Sequence, residues 1–256
     1  VAMDQVATEA MLAMGLAPSM VGTANQADPV FPALAKAFAK VPVLAKGNYP
    51  SKEVLLTASP DIVVGNLQFF TYSGFPPGAN FTRAQLADRK IQGFTLLCDG
   101  ESKSMPLLYR RYVELGRIFG REAQAKALVK TMQDGLGAVG AKLKGVAPVK
   151  TFYYSGGKGP LGTYGGAQDG LTLSGGTNLF KDLPPLVGGM PPTVTVEQVI
   201  ERNPAVILIE DQGALDPSAP SVAASKAWLT KTLRTTDAVK NARFCTVRFY
   251  DFTGGL

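Results

Sequence analysis

Residues 155–166 read SGGKGPLGTYGG, with Gly157, Gly159 and Gly162 at the spacing of a dinucleotide-binding loop and a strand-like VKTFYY just before them. The chemistry of such a loop needs a helix to open at once, so that free N–H groups and the helix dipole face a pyrophosphate, and an acid about 20 positions on for the ribose. Pro160 interrupts the motif, Asp182 sits in FKDLP rather than at a strand tip, and Lys158 precedes Gly159 rather than Ser or Thr. Dinucleotide and P-loop chemistry are both set aside, and the stretch reads as a mobile strand-to-helix loop, a place where binding residues gather. The chain has no histidine. That removes Ser-His-Asp and Cys-His catalysis and the commonest zinc or manganese ligand. A direct metal site would have to use carboxylates or tyrosines. Asp99-Gly100-Glu101 and Glu210-Asp211 read as strand-end loops, so no enzyme, metal centre or resident cofactor is expected. Cys98 and Cys245, in FTLLCDG and RFCTVRFY, read as buried inert thiols that cannot pair if their strands belong to different domains.

The elements that must position these residues alternate. Apolar residues at helix period (Ala10, Met11, Met14) precede the strand-like runs VPVL, DIVVGN and GFTLLCD, the pattern of a parallel sheet with crossover helices. From Met105 to about Gly145 only helix period is visible. It runs through Leu108, Tyr112, Leu115 and Phe119, breaks at Gly120, and continues through Leu128, Met132, Leu136, Val139 and Leu143. The second of these helices would run about 35 Å, long enough for a strut. Strand-like runs then resume at VKTFYYS, AVILIED and ARFCTVRFYD. The fold class expected is α/β with two Rossmann-like lobes, 1–104 and 147–256, joined by helices in 105–146 that include a long backbone helix. Free thiols rather than an intramolecular disulfide follow from that division. No apolar run approaches the roughly 20 residues of a membrane span. Because VAMDQ opens as if inside a strand and DFTGGL stops just after one, more chain is expected beyond both ends.

An internal echo relates the lobes. SKEVLLTASPDIVVGN and TVEQVIERNPAVILIED each run from a capping hydroxyl (Ser51, Thr195) through a first-turn glutamate (Glu53, Glu197) and an apolar helix face to a proline seven residues after the glutamate, then into a buried strand. A first-turn carboxylate meets the positive end of the helix dipole and stabilises by roughly 0.3–1 kcal/mol; two at matching positions invite a paired role. These stretches, with LSGGTNLFKDL (173–183) and LGRIFGREAQAKALVKTM, resemble the helical-backbone (class III) periplasmic substrate-binding proteins of ABC importers for ferric siderophores, haem and cobalamin, over nearly the whole chain.

The resemblance implies an extracytoplasmic monomer, periplasmic or a cell-surface lipoprotein. Its lobes would clasp an iron chelate in the cleft between them, and Glu53 and Glu197 would dock onto arginines of an ABC permease dimer. The chain departs from the family at GGMPP, where an aromatic often precedes the second docking glutamate. Strand-end loops face the cleft in this architecture. The expected ligand-binding residues are Tyr49, Gln68, Phe69, Phe70 and Tyr72 on the first lobe and Tyr154, Lys158, Tyr164, Arg248, Tyr250 and Phe252 on the second. Core packing is the competing reading for every aromatic, although the consecutive Phe69-Phe70 at a strand end are harder to bury together. The formal charge of +6 favours anionic partners, and the absence of a dense basic run argues against nucleic acid. Lys158 and Arg248 would then meet an anionic ferric siderophore. Haem, cobalamin and direct capture of a ferric ion by tyrosines and carboxylates stay open as alternatives. A metallocluster scaffold or chelatase on the same fold would need His or paired Cys, which the chain lacks.

Overall fold

The computed structural model describes residues 1–26, 28–66, 69–70, 80–97, 104–165, 169–184, 192–212 and 219–248. Contacts divide the chain into two compact units, the first made of Val1–Gly100 and Met105–Gln133 and the second running from Asp134.

Among the described residues of the first unit, every paired strand runs parallel. β1 (Thr23–Gln26) pairs with β2 (Val43–Lys46), and β3 (Ile62–Asn66) with β4 (Gln92–Leu97). Ala2 bridges Thr23 on one side and Val64 on the other. The Ala2 N–H donates to the Gly22 carbonyl at 3.1 Å, and the Met3 N–H to the Val64 carbonyl at 2.8 Å. Residues 1–3 are thus the central strand of the sheet. Leu55, Val63 and Leu86 pack around it from the helix Lys52–Thr57, β3 and the helix Arg83–Ala87, joined by Phe81 just before that helix and Ile91 just before β4.

Two helices follow. Met105–Ile118 is followed two residues on by Gly120, which takes φ +64°, the left-handed conformation that glycine adopts without strain past a helix end. The chain turns so tightly there that a Cβ on Gly116 would lie 2.5 Å from that of Ala125 on the next helix. That next helix, Glu122–Lys142, has 21 residues, about 31 Å at 1.5 Å per residue. It passes from the first unit into the second, whose contacts begin at Asp134. Ala125, Val129 and Met132 are buried, but the face expected to continue through Leu136 and Val139 opens to solvent, with Val139 39% exposed. Leu143 packs against Gly175 of the second unit.

The second unit carries a four-stranded parallel sheet in the order β10–β9–β5–β7 (Phe244–Arg248, Val206–Asp211, Val149–Tyr154, Gly176–Asn178). Strand alternation sorts its side chains. Phe152, Tyr154, Ile207 and Ile209 face a core closed by Val199, Leu229, Leu233 and Ala238, so Tyr153 and Glu210 turn to the opposite face. Glu210 and Asp211, read above as loop, are the last two residues of β9. The glycine-rich stretch is likewise no strand-to-helix loop, because it returns into a short strand β6 (Leu161–Gly162) paired antiparallel with β8 (Thr193–Val194). Cys245 is exposed rather than buried, since β10 ends the sheet order and its neighbours Thr246 and Arg248 are also exposed. Cys98 lies outside the described residues.

The internal echo extends into the backbone. Ser51 and Thr195 cap the helices Lys52–Thr57 and Val196–Arg202, their hydroxyls accepting from the N–H groups of Val54 and Gln198. Both helices end in a residue with positive φ, Ser59 (+48°) and Asn203 (+46°), followed by Pro60 and Pro204, which cannot continue a helix. The strands then start at Ile62 and Val206.

Candidate functional site

At the carboxyl end of the first sheet, the chain's own side chains fill the ground. Asp4 caps the helix Gln5–Ala13. Its carboxylate accepts from the Ala7 N–H and the Asn66 N–H, both at 2.8 Å. Burial outweighs these bonds and pushes its carboxyl up to about 6. The helix terminus that could hold an anion is therefore occupied from within. Burial, then the charges of Asp4 and Glu9, also push the Tyr112 phenol well up. The Tyr49 hydroxyl donates to Asn66 Oδ1 at 3.2 Å, and its ring meets Phe69 edge-on at 5.2 Å. Phe69 and Phe70, expected to be hard to bury together, are 0% and 3% exposed. Each points into the first unit's core, with Phe70 beneath the Arg83 guanidinium at 5.5 Å. They offer a ligand no face in this arrangement. Gln68 and Tyr72 lie outside the described residues.

The second sheet gathers a buried polar cluster at the same end. Glu210 Oε1 accepts from the hydroxyls of Tyr153 (2.8 Å) and Tyr164 (3.1 Å), while Oε2 accepts from Gln212 Nε2 at 2.6 Å. The two tyrosine rings sit edge to face at 4.7 Å. Burial, and next the Glu210 charge, raise the Tyr153 phenol well above its ordinary range. Gln212 Nε2 also donates to the Ser155 carbonyl at 3.0 Å.

From Ser155 the glycine loop is tied across its root. The Ser155 N–H donates to the Gly162 carbonyl (3.0 Å), the Gly162 N–H to the Gly156 carbonyl (2.8 Å), and the Tyr154 hydroxyl to the Gly157 carbonyl (2.7 Å). Gly157 has φ +81°, and a Cβ there would fall 2.4 Å from the Pro160 carbonyl oxygen, so only glycine closes the loop. Tyr154 and Tyr164, expected as ligand walls, are buried with their hydroxyls engaged inside the unit. Lys158 alone of the three is exposed, between the two ends of the tie. Arg248 is exposed at the end of β10, opposite Asp211 in the strand register. Tyr250 and Phe252 lie outside the described residues.

Sequence reading missed Tyr153, Glu210 and Gln212. Period-2 alternation in VKTFYY and VILIED carried the signal for the first two, because it turns Tyr153 and Glu210 away from the face that takes Phe152 and Ile209.

The paired glutamates stand at identical helix positions. Glu53 and Glu197 are both exposed second residues of their helices. Their own backbone N–H groups, then the hydroxyls of Ser51 and Thr195, hold both carboxyls below the ordinary range. Both therefore stay charged at neutral pH. In the second unit, β8 joins this helix to the loop, because Leu161 and Gly162 pair with Val194 and Thr193 and Thr195 then caps the helix bearing Glu197.

Two α/β units, each with a parallel sheet and an exposed first-turn glutamate, and a long helix in the chain between the two sheets are the marks of the class III type of substrate-binding protein. The family model described as periplasmic binding protein matches residues 1–250, and the chain belongs to that family, whose members serve ABC importers as extracytoplasmic substrate-binding proteins. Among solved structures, a periplasmic binding protein from Veillonella parvula is 26% identical at a TM-score of 0.86, covering 99% of this chain and 85% of that one. An ABC-type Fe3+-hydroxamate transport protein from Saccharomonospora viridis (22% identity, TM-score 0.75, covering 98% and 85%) shares the fold. So does the periplasmic haem-binding protein HutB of Vibrio cholerae (20% identity, TM-score 0.71, covering 100% and 91%). No curated protein sequence matches the chain. Among the described residues no helix is long and apolar enough to cross a membrane.

Proposed function

We propose that this protein captures a ferric siderophore on the strand-end loops of its two lobes and delivers it to an ABC permease onto which Glu53 and Glu197 dock. It acts as a binding protein, not an enzyme, and the chelate is cargo rather than cofactor. The observation that carries the ligand class is Lys158, an exposed cation on a loop tied at its root, in a chain with net charge +6 and no histidine. Ferric complexes of catecholate and carboxylate siderophores are anionic, and a cation held in place meets them without first being ordered. Arg248 contributes less, because Asp211 stands opposite it. Direct capture of a bare ferric ion would ask a buried tyrosine such as Tyr153 to ionise beside Glu210, which burial and that carboxylate both oppose. Haem would have to find an axial ligand other than histidine.

Native mass spectrometry of the protein with a ferric catecholate, a ferric hydroxamate, haem and cobalamin tests the reading. A one-to-one complex with the ferric catecholate is expected, with affinity that falls as salt rises. Lys158→Ala should weaken it roughly three- to ten-fold at low salt, the scale of one partly screened charge contact. Binding of haem or cobalamin alone would replace the ligand class.

A further inference from the structure

Glu210 is not among the residues proposed to meet the ligand. It is a 6% exposed carboxylate at the end of β9, where an acid without bonded partners would cost several kcal/mol. Its hydrogen bonds reach three separate pieces of chain: Tyr153 within β5, Tyr164 just past β6, and Gln212 just past β9. Gln212 passes the tie on to the Ser155 carbonyl, and Ser155 is the first residue of the loop that presents Lys158. The two ends of that loop, near Ser155 and near Tyr164, are thereby referred to one side chain.

We infer that Glu210 is the positioning residue of this loop, fixing where Lys158 stands before any ligand arrives. The inference rests on the reading of the loop as ligand-facing. Both phenolic protons are committed to the carboxylate, and so is one amide proton of Gln212. Replacing Glu210 by glutamine keeps the shape and leaves one oxygen to accept from the tyrosines. It sets an amide NH2 against the Gln212 NH2, donor against donor. The loop's tie through Ser155 is then lost while the tyrosines stay bonded. A loop released in this way must be ordered again by the ligand, and affinity falls by that cost.

The test uses Glu210→Gln and, independently, Gln212→Leu, which severs the same tie by removing the Gln212 amide that bridges Glu210 Oε2 and the Ser155 carbonyl, and leaves both tyrosine bonds to Oε1 in place. The two measurements are hydrogen exchange at the Ser155 and Gly162 amides and affinity for the ferric catecholate. Both variants are expected to exchange faster at these two amides and to bind roughly ten-fold more weakly, with the exchange of the β9 amides unchanged. A purely structural role would speed exchange throughout the sheet and leave these amides no worse than their neighbours, which overturns the inference. So does unchanged exchange at Ser155 and Gly162 in both variants. If wild type binds none of the chelates, the proposed ligand fails, and the exchange data still decide whether Glu210 holds the loop.

Discussion

Asp4 serves the fold at the expense of its own solvation. Its two oxygens join the first helix to the end of β3 through Ala7 and Asn66, and burial raises its carboxyl to about 6, against about 3.9 in an unfolded chain. The sign follows from proton binding. Between these values the folded state holds a proton that the unfolded state has released, so stability falls as pH rises from about 4 to about 6 and is flat above. Two units correspond to about 3 kcal/mol. Asp4→Asn still caps the helix and removes this dependence. Urea unfolding at pH 4 and pH 7 should show a decline in wild type that is smaller by about 2–3 kcal/mol in the variant; equal declines would mean that Asp4 is charged throughout. At this scale the sequence was least legible. Tyr154 and Tyr164 were picked out as ligand walls by residue type and nearness to a strand end, yet which way a ring turns depends on the neighbour that takes its hydroxyl. Those neighbours, the Gly157 carbonyl for Tyr154 and Glu210 for Tyr164, are fixed by strand register, which alternation within a single strand does not reveal.

The long helix Glu122–Lys142 was readable from its period, and its second half shows what period alone leaves out. Gly135, Gly137 and Gly140 lie inside it, all exposed, and a Cβ at any of them would meet nothing within 4 Å. Glycine in a helix interior costs about 1 kcal/mol relative to alanine. Each Gly→Ala change should therefore stabilise the protein by about 0.5–1 kcal/mol, read as a higher denaturation midpoint with unchanged slope. A triple variant no more stable than wild type would contradict a continuous helix through these positions. The glycine loop was misjudged at the same scale. Its glycines were read as freedom, whereas Gly157 is demanded by a close approach to Pro160, and the loop's end pairs with a two-residue strand far along the chain. Such a short ladder has too few residues to show a period.

For the whole molecule, two α/β units and the echo between them were legible because the repeated signals are local: a capping hydroxyl, a glutamate two residues on, a proline seven after it. Their match now includes positive φ at Ser59 and Asn203, a conformation that asparagine tolerates better than most residues do. The glutamates also bear on the central claim, capture followed by delivery, because charged pairs across an interface govern encounter and register more than the affinity of a separate site. The measurement is uptake of the radiolabelled ferric catecholate by cells carrying the cognate permease, with wild type or the double variant Glu53→Lys, Glu197→Lys, alongside the affinity of each purified protein. The account predicts that the double variant binds the chelate as wild type does while uptake falls at least about ten-fold. Uptake that survives the double reversal, with the variant folded and loaded, would contradict it and leave both carboxylates as helix-end charges alone.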